Sequence, residues 1–192
     1  MGYTNPNAAC PQCDSHSRHR GLFLWLRDEY RISDREGIAL VFAPERALAP
    51  LWQNAAKLRV YKVDIEPTRR VDVQANVMRL PFASEVVDLV WCHHVLEQVV
   101  DDGEAMKELR RVLRATSGEL IVSVYVGEPG PTVEFGYASK TLSGDRRVFG
   151  TDFVDRLTAA GFNATRKVYN LTPAECMKYG IDKEDFYLCT RN

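Results

Sequence analysis

The chain is expected to fold as a doubly wound α/β domain around a mostly parallel, seven-stranded sheet, preceded by a short extension of loop and helix. Two observations carry that expectation. Short apolar runs such as Ile38-Ala39-Leu40-Val41-Phe42-Ala43 and Val86-Val87-Asp88-Leu89-Val90-Trp91-Cys92 alternate with helix-patterned stretches. The segment from Arg79 to Val126 also holds one complete unit: a Leu80-Pro81-Phe82 turn, a strand, a polar crest, an amphipathic helix and a second strand. Strands covered on both faces read as near-continuous apolar runs. Their alternation with helices gives a parallel sheet with right-handed crossovers.

Residues 1–16 read as an irregular head. From Ser17, a candidate cap, the apolar positions Leu22, Phe23, Leu26 and Tyr30 follow helical spacing. Gly37 opens the first strand, and Pro44 suits the first turn of a helix over 45–56. Leu58 to Ile65 is the second strand, Val71 to Val73 a short third, and Val86 to Cys92 the fourth. Asp101 and Asp102 begin a helix and Arg110, Arg111 and Arg114 end it, each with the charge that suits its end. Ala105, Met106, Leu109, Val112 and Leu113 are its inward stripe. Leu120 to Val126 is the fifth strand, and 127–149, with its glycines and prolines, is a long loop. Thr151 caps a helix over Asp152–Ala160, which Gly161 ends. Asn163 to Tyr169 and Asp185 to Thr190 close the sheet.

At 192 residues, with 45% hydrophobic and 27% charged side chains, the chain is sized for one substantial core. Basic residues number 25 against 26 acidic, so no overall field recruits nucleic acid or an anionic membrane. Apolar runs fall far short of the roughly 20 residues of a membrane span. With no secretory pattern in Met1 to Ala9, a cytoplasmic location is the expectation. Five cysteines, an odd number, then argue for reduced thiols.

The Leu80-Pro81-Phe82 turn, Asp88 and the Val95-Leu96-Glu97 crest together resemble the middle of a class I S-adenosylmethionine-dependent methyltransferase. The likeness runs from about Gly37 to the end, dividing the chain into an N-terminal extension (1–36) and a methyltransferase-like domain (37–192). Cys10-Pro11-Gln12-Cys13, Arg18-His19-Arg20, Ala43-Pro44-Glu45 and Tyr187-Leu188-Cys189 further resemble a small bacterial branch of the type 11 methyltransferases. The resemblance implies a Rossmann-like fold with an antiparallel final hairpin. It also implies S-adenosylmethionine as cofactor, in-line attack on its methyl and release of S-adenosylhomocysteine.

Carried over residue by residue, the resemblance assigns Phe42, Ala43, Pro44 and Glu45 to the cofactor at the end of the first strand. Asp64 would accept hydrogen bonds from both ribose hydroxyls, which suits a carboxylate with two acceptor oxygens. Asn76 would pair with the adenine amine, Val77 would flank the ring, and Cys92 would lie beside the cofactor at the end of the fourth strand. The chain departs from the family in having no glycine between Gly37 and Gly103, where relatives bring bare backbone against the ligand. His93 and His94 are the candidate catalytic residues. An imidazole removes a proton near neutral pH, and two adjacent histidines point in different directions, so one at most faces a substrate. Glu97 is an anchor or a chemical group. Tyr125, Glu128, Glu134 and Tyr137 lie near or in the long loop, which is expected to be a substrate lid.

In the head, Cys10 and Cys13 with His19 are the candidate metal ligands, since a Cys-x-x-Cys pair grips a tetrahedral zinc ion. His16 is the other third ligand, and Cys176 or Cys189 the fourth. A redox pair and unliganded thiols are the alternatives. Function reads first as methyl transfer to an oxygen, nitrogen or carbon of a small molecule, in a biosynthetic setting, with a homodimer as the expected assembly. A non-catalytic relative with a degraded cofactor turn, and a zinc-bearing nucleic-acid modifier, are the other classes. The balanced net charge counts against the last.

Overall fold

The computed structural model describes residues 9–67, 71–182 and 185–192. Seven strands form one sheet: β1 (Gly37–Phe42), β2 (Leu58–Asp64), β3 (Val73–Gln74), β4 (Leu89–His93), β5 (Glu119–Ser123), β8 (Phe162–Lys167) and β9 (Phe186–Arg191). Two more, β6 (Val133–Glu134) and β7 (Arg147–Val148), pair separately as a small hairpin. The sheet order is β3-β2-β1-β4-β5-β9-β8, parallel except for β9 against both of its neighbours. Chain order therefore reverses between β1 and β4, the place where open α/β sheets bind ligands beyond their carboxyl ends.

Strand alternation divides the core into two layers. Leu40 of β1 and Val90 and Cys92 of β4 pack with Met106 and Leu109 of helix α3 (Asp102–Val112) and Phe153 of α4 (Phe153–Ala159). Ala39, Val41, Leu89 and Trp91 face the other way, against Leu22 of α1 (Ser17–Leu24), Trp25 and Leu26 just beyond it, and Leu51 and Trp52 of α2 (Ala49–Asn54). Each fully buried side chain of this size contributes about 1.5–3 kcal/mol. Gly37 sits at φ 108°, and a Cβ there would collide with the Asp88 carboxylate, which accepts from the Ile38 amide at 2.8 Å and Arg114 Nε at 2.9 Å.

Local chemistry sets the boundaries. Asp101 caps α3 by accepting from the Glu104 amide at 2.9 Å. Helix α1 is capped by His16 rather than Ser17: the His16 amide donates to His19 Nδ1 at 3.1 Å. Asp152, not Thr151, is the residue before α4, and the Thr151 hydroxyl donates to Gly130 O instead. Pro44 does not start a long helix. A 3-10 turn at Arg46–Leu48 intervenes before α2. Two elements were absent from the sequence expectation: the β6–β7 hairpin within the long loop, and α5 (Pro173–Tyr179), closed at its start by a reciprocal Thr172–Glu175 cap. Among the described residues, no helix is long and apolar enough to cross a membrane.

Candidate active site

A cavity of about 300 Å³ opens at the carboxyl ends of β1, β2 and β4, lined by residues that include Phe42, Ala43, Asp64, Asn76, Val77, His94, Gln98 and Arg146. Two of these hold left-handed backbone without being glycine: Ala43 at φ 45° and His94 at φ 50°. They end the two strands that flank the topological switch point. Such a conformation costs a non-glycine residue about 1 kcal/mol and concentrates at functional sites. Ala43 thus makes the turn that a glycine would make, with only a methyl group toward the cavity.

Asp64 Oδ1 accepts the Glu66 amide at 3.0 Å, and Asn76 Oδ1 accepts the Met78 amide at 3.0 Å. Both side chains are oriented by backbone and retain acceptor capacity. The Leu80-Pro81-Phe82 turn is held from α3. Glu108 accepts the Leu80 amide at 2.7 Å, and Arg111 donates to Phe82 O at 2.9 Å. The Arg111 hydrogen bond keeps the Glu108 carboxyl below its ordinary pKa.

The two crest histidines part company. His93 continues the alternation of Leu89 and Trp91, so its ring turns to the α1 side, 5.6 Å from Trp91, with its side chain 1% exposed. Burial drives its pKa well below the ordinary imidazole value. His94 steps out of the strand into the cavity. Its Nδ1 lies 2.8 Å from Glu97 Oε1, which also accepts the Tyr125 amide at 2.8 Å. Glu97 is almost fully buried. A carboxylate at Nδ1 fixes the proton there and makes Nε2 the basic nitrogen, the arrangement by which an acid orients a catalytic histidine.

Three expected cofactor residues lie elsewhere. Cys92 is buried in the α3 layer by strand alternation, and that burial raises its thiol pKa. Pro44 and Glu45, carried past the Ala43 turn, line a separate hollow against α2 with Trp52 and Lys62. Nor does the head assemble as expected. Among the described residues, Cys10 and Cys13 form no group of three ligands with His19, whose Nε2 instead meets Glu45 Oε1 at 2.6 Å. Cys189 is buried in β9, where burial pushes its thiol up to about 12, and Cys176 sits half-buried on α5.

Of the expected lid residues, Glu134 pairs with Arg147, while Tyr125 and Tyr137 are exposed. Arg147 anchors the β6–β7 hairpin: buried, it donates to Leu96 O at 2.7 Å, Val99 O at 2.8 Å and Val100 O at 3.1 Å. The hairpin is thereby clamped to the loop that carries Glu97. Neighbouring Arg146 lines the cavity, a functional candidate that sequence reasoning missed, because nothing in a loop's composition tells which arginine turns inward.

Residues 44–122 match a family model described as Methyltransferase domain. The matched segment spans less than half of the 192-residue chain. Solved structures similar to it share the fold. The 1,6-didemethyltoxoflavin-N1-methyltransferase of Burkholderia thailandensis, bound to 1,6-didemethyltoxoflavin and S-adenosylhomocysteine, is 18% identical, over 92% of this chain and 78% of that one, at a TM-score of 0.63. An S-adenosylmethionine-dependent methyltransferase from Mesorhizobium loti is 12% identical over 91% of this chain and 100% of that one, at 0.60. The cyclase SpnF is 17% identical over 92% and 80%, also at 0.60. No curated protein matches the sequence significantly. The likeness to these structures shows the fold, and the segment from β1's end to β5 is similar to the methyltransferase domain.

Proposed function

We propose that the protein methylates a small-molecule acceptor, with the cofactor's nucleoside in the cavity at the switch point and His94 as the proton acceptor. One observation carries this reading: Ala43, Asp64, Asn76 and His94, from four separate segments, line a single cavity at the carboxyl edge of the sheet. Asp64 suits the ribose diol, Asn76 the adenine amine, and Phe42 and Val77 the apolar walls. S-adenosylmethionine, when bound, supplies an electrophilic methyl group on a sulfonium.

The protein's own part is orientation and proton transfer. Glu97 holds the proton on His94 Nδ1, so Nε2 takes the proton that an acceptor hydroxyl, amine or carbon acid releases. Arg146 gives the cavity a cation suited to an acceptor bearing a carboxylate or an enolate. The lid hairpin, tied to the crest through Arg147, keeps water from the acceptor. The small acceptor agrees with the size of the cavity and with the small-molecule ligand of the Burkholderia structure. Calorimetry tests the reading: one-to-one binding of S-adenosylmethionine and S-adenosylhomocysteine is expected, and no detectable binding of either at millimolar ligand overturns it.

A further inference from the structure

Beside the cavity, where the His93 ring meets that of His94 at a centroid distance of 4.3 Å, three elements far apart in sequence bring His19 of α1, Glu45 of the turn after β1, and His93 of β4 together. One ligand atom from each lies within 4.8 Å of the others. His19 and His93 are buried, and Glu45 is mostly so, its side chain 20% exposed. His19 Nε2, Glu45 Oε2 and His93 Nε2 are all enclosed, and none has a hydrogen-bond partner with good geometry. Buried polar atoms are nearly always paired, so three such atoms on side chains gathered at one place require an explanation. An ion pair alone does not supply it. His19 and Glu45 are 2.6 Å apart, but His93 stands 3.7 Å from the same carboxylate oxygen and the second oxygen faces no donor.

We propose that His19, Glu45 and His93 bind a divalent transition-metal ion of the zinc class, tying α1 to the ends of β1 and β4. Two imidazoles and a carboxylate are a borderline donor set for such ions, and three protein ligands leave a position for water. The outer contacts that a metal-bound histidine needs are partly in place, because His93 Nδ1 is held by the Ser123 hydroxyl, which can accept its proton and turn Nε2 toward the ion. Two features weaken the site. The His16 amide donates to His19 Nδ1, so the metal-free ring carries its proton on Nε2 and must move it to Nδ1 on binding. Arg18 is also close enough to act on His93 and opposes a dication. Affinity below that of a preformed, closed four-ligand site follows. The proposal does not depend on methyl transfer.

The test uses protein purified without a histidine tag, stripped with a chelator and titrated with zinc chloride by calorimetry. One equivalent is expected to bind and to raise the melting temperature. Glu45→Gln and His93→Ala should each weaken binding at least tenfold, while the double variant Cys10→Ser/Cys13→Ser leaves it unchanged. Should His93→Ala fail to fold, Glu45→Gln at its partly exposed position carries the same test. Cobalt bound to the wild type should show no thiolate charge-transfer band. Absence of binding overturns the proposal. So does binding that survives Glu45→Gln and disappears in the cysteine double variant, which would move the ion to the head. No adenosyl ligand is present, so the result stands apart from the methyltransferase reading.

Discussion

His93 and His94 are neighbours in sequence and opposites in chemistry. His93 is the last residue of a strand, sealed against Trp91 and facing Glu45 and His19. His94 is the first residue out of that strand, turned by a left-handed backbone into the cavity and held by Glu97. Their rings still touch edge to face, with centroids 4.3 Å apart. The lesson is that alternation assigns a strand residue to its face before side-chain chemistry has any say. A residue escapes that rule only where the strand ends and the backbone bends.

The two histidines should differ most in catalysis. His94→Asn should lower kcat by about 10²–10⁴-fold, the usual range for loss of a proton acceptor, with the circular dichroism spectrum unchanged. His93→Asn should cost stability and reduce kcat by less than about tenfold, since its ring lies outside the cavity. Equal losses in the two variants, in product release assays, would erase the distinction drawn here. Glu97→Gln sharpens it. The amide no longer fixes the proton on Nδ1, so kcat should fall by about 10²-fold while KM for the cofactor changes little. Loss in KM alone would make Glu97 a scaffold for the loop.

Smaller effects are expected where α3 holds the Leu80-Pro81-Phe82 turn. The Glu108 carboxyl titrates below its unfolded value of 4.5, because the Arg111 hydrogen bond favours the ionised form. The carboxylate therefore contributes stability above about pH 4.5, and that contribution is lost as the pH falls through its lowered folded value. Urea unfolding at successive pH values should show Glu108→Gln less stable by about 1 kcal/mol at neutral pH, with a shallower acid slope than the parent. Identical slopes would detach the Leu80-Pro81-Phe82 turn from this pair. Least of all, Ala43→Gly should stabilise the fold by about 0.5 kcal/mol, as relief of the left-handed strain outweighs the added freedom of the unfolded chain. Destabilisation would mean that the alanine methyl packs as part of the crevice.

Much of this was legible in the chain. The apolar runs marked the sheet's strands, and the α3 stripe and its Asp101 cap followed from spacing and charge. Alternation along Leu89, Trp91 and His93 was also readable and would have put His93 on the α1 side. The position of Asp64 and Asn76 at the cavity came through the family resemblance rather than from pattern. What was not legible depends on contacts across long sequence distances. His19 meets Glu45 only because α1 packs over the β1 edge, and Arg146 enters the cavity only because Arg147, buried beside it, grips Leu96, Val99 and Val100. The pairing of Val133–Glu134 with Arg147–Val148 is likewise two residues deep and leaves no periodic trace.

The nucleoside's seat is the claim on which the assigned chemistry depends, and Asp64→Ala probes it most directly. Calorimetry with S-adenosylhomocysteine should show at least a tenfold loss of affinity, as two hydrogen bonds to a carboxylate disappear, in a variant that melts like the parent. Unaltered affinity in a folded Asp64→Ala protein would contradict the account.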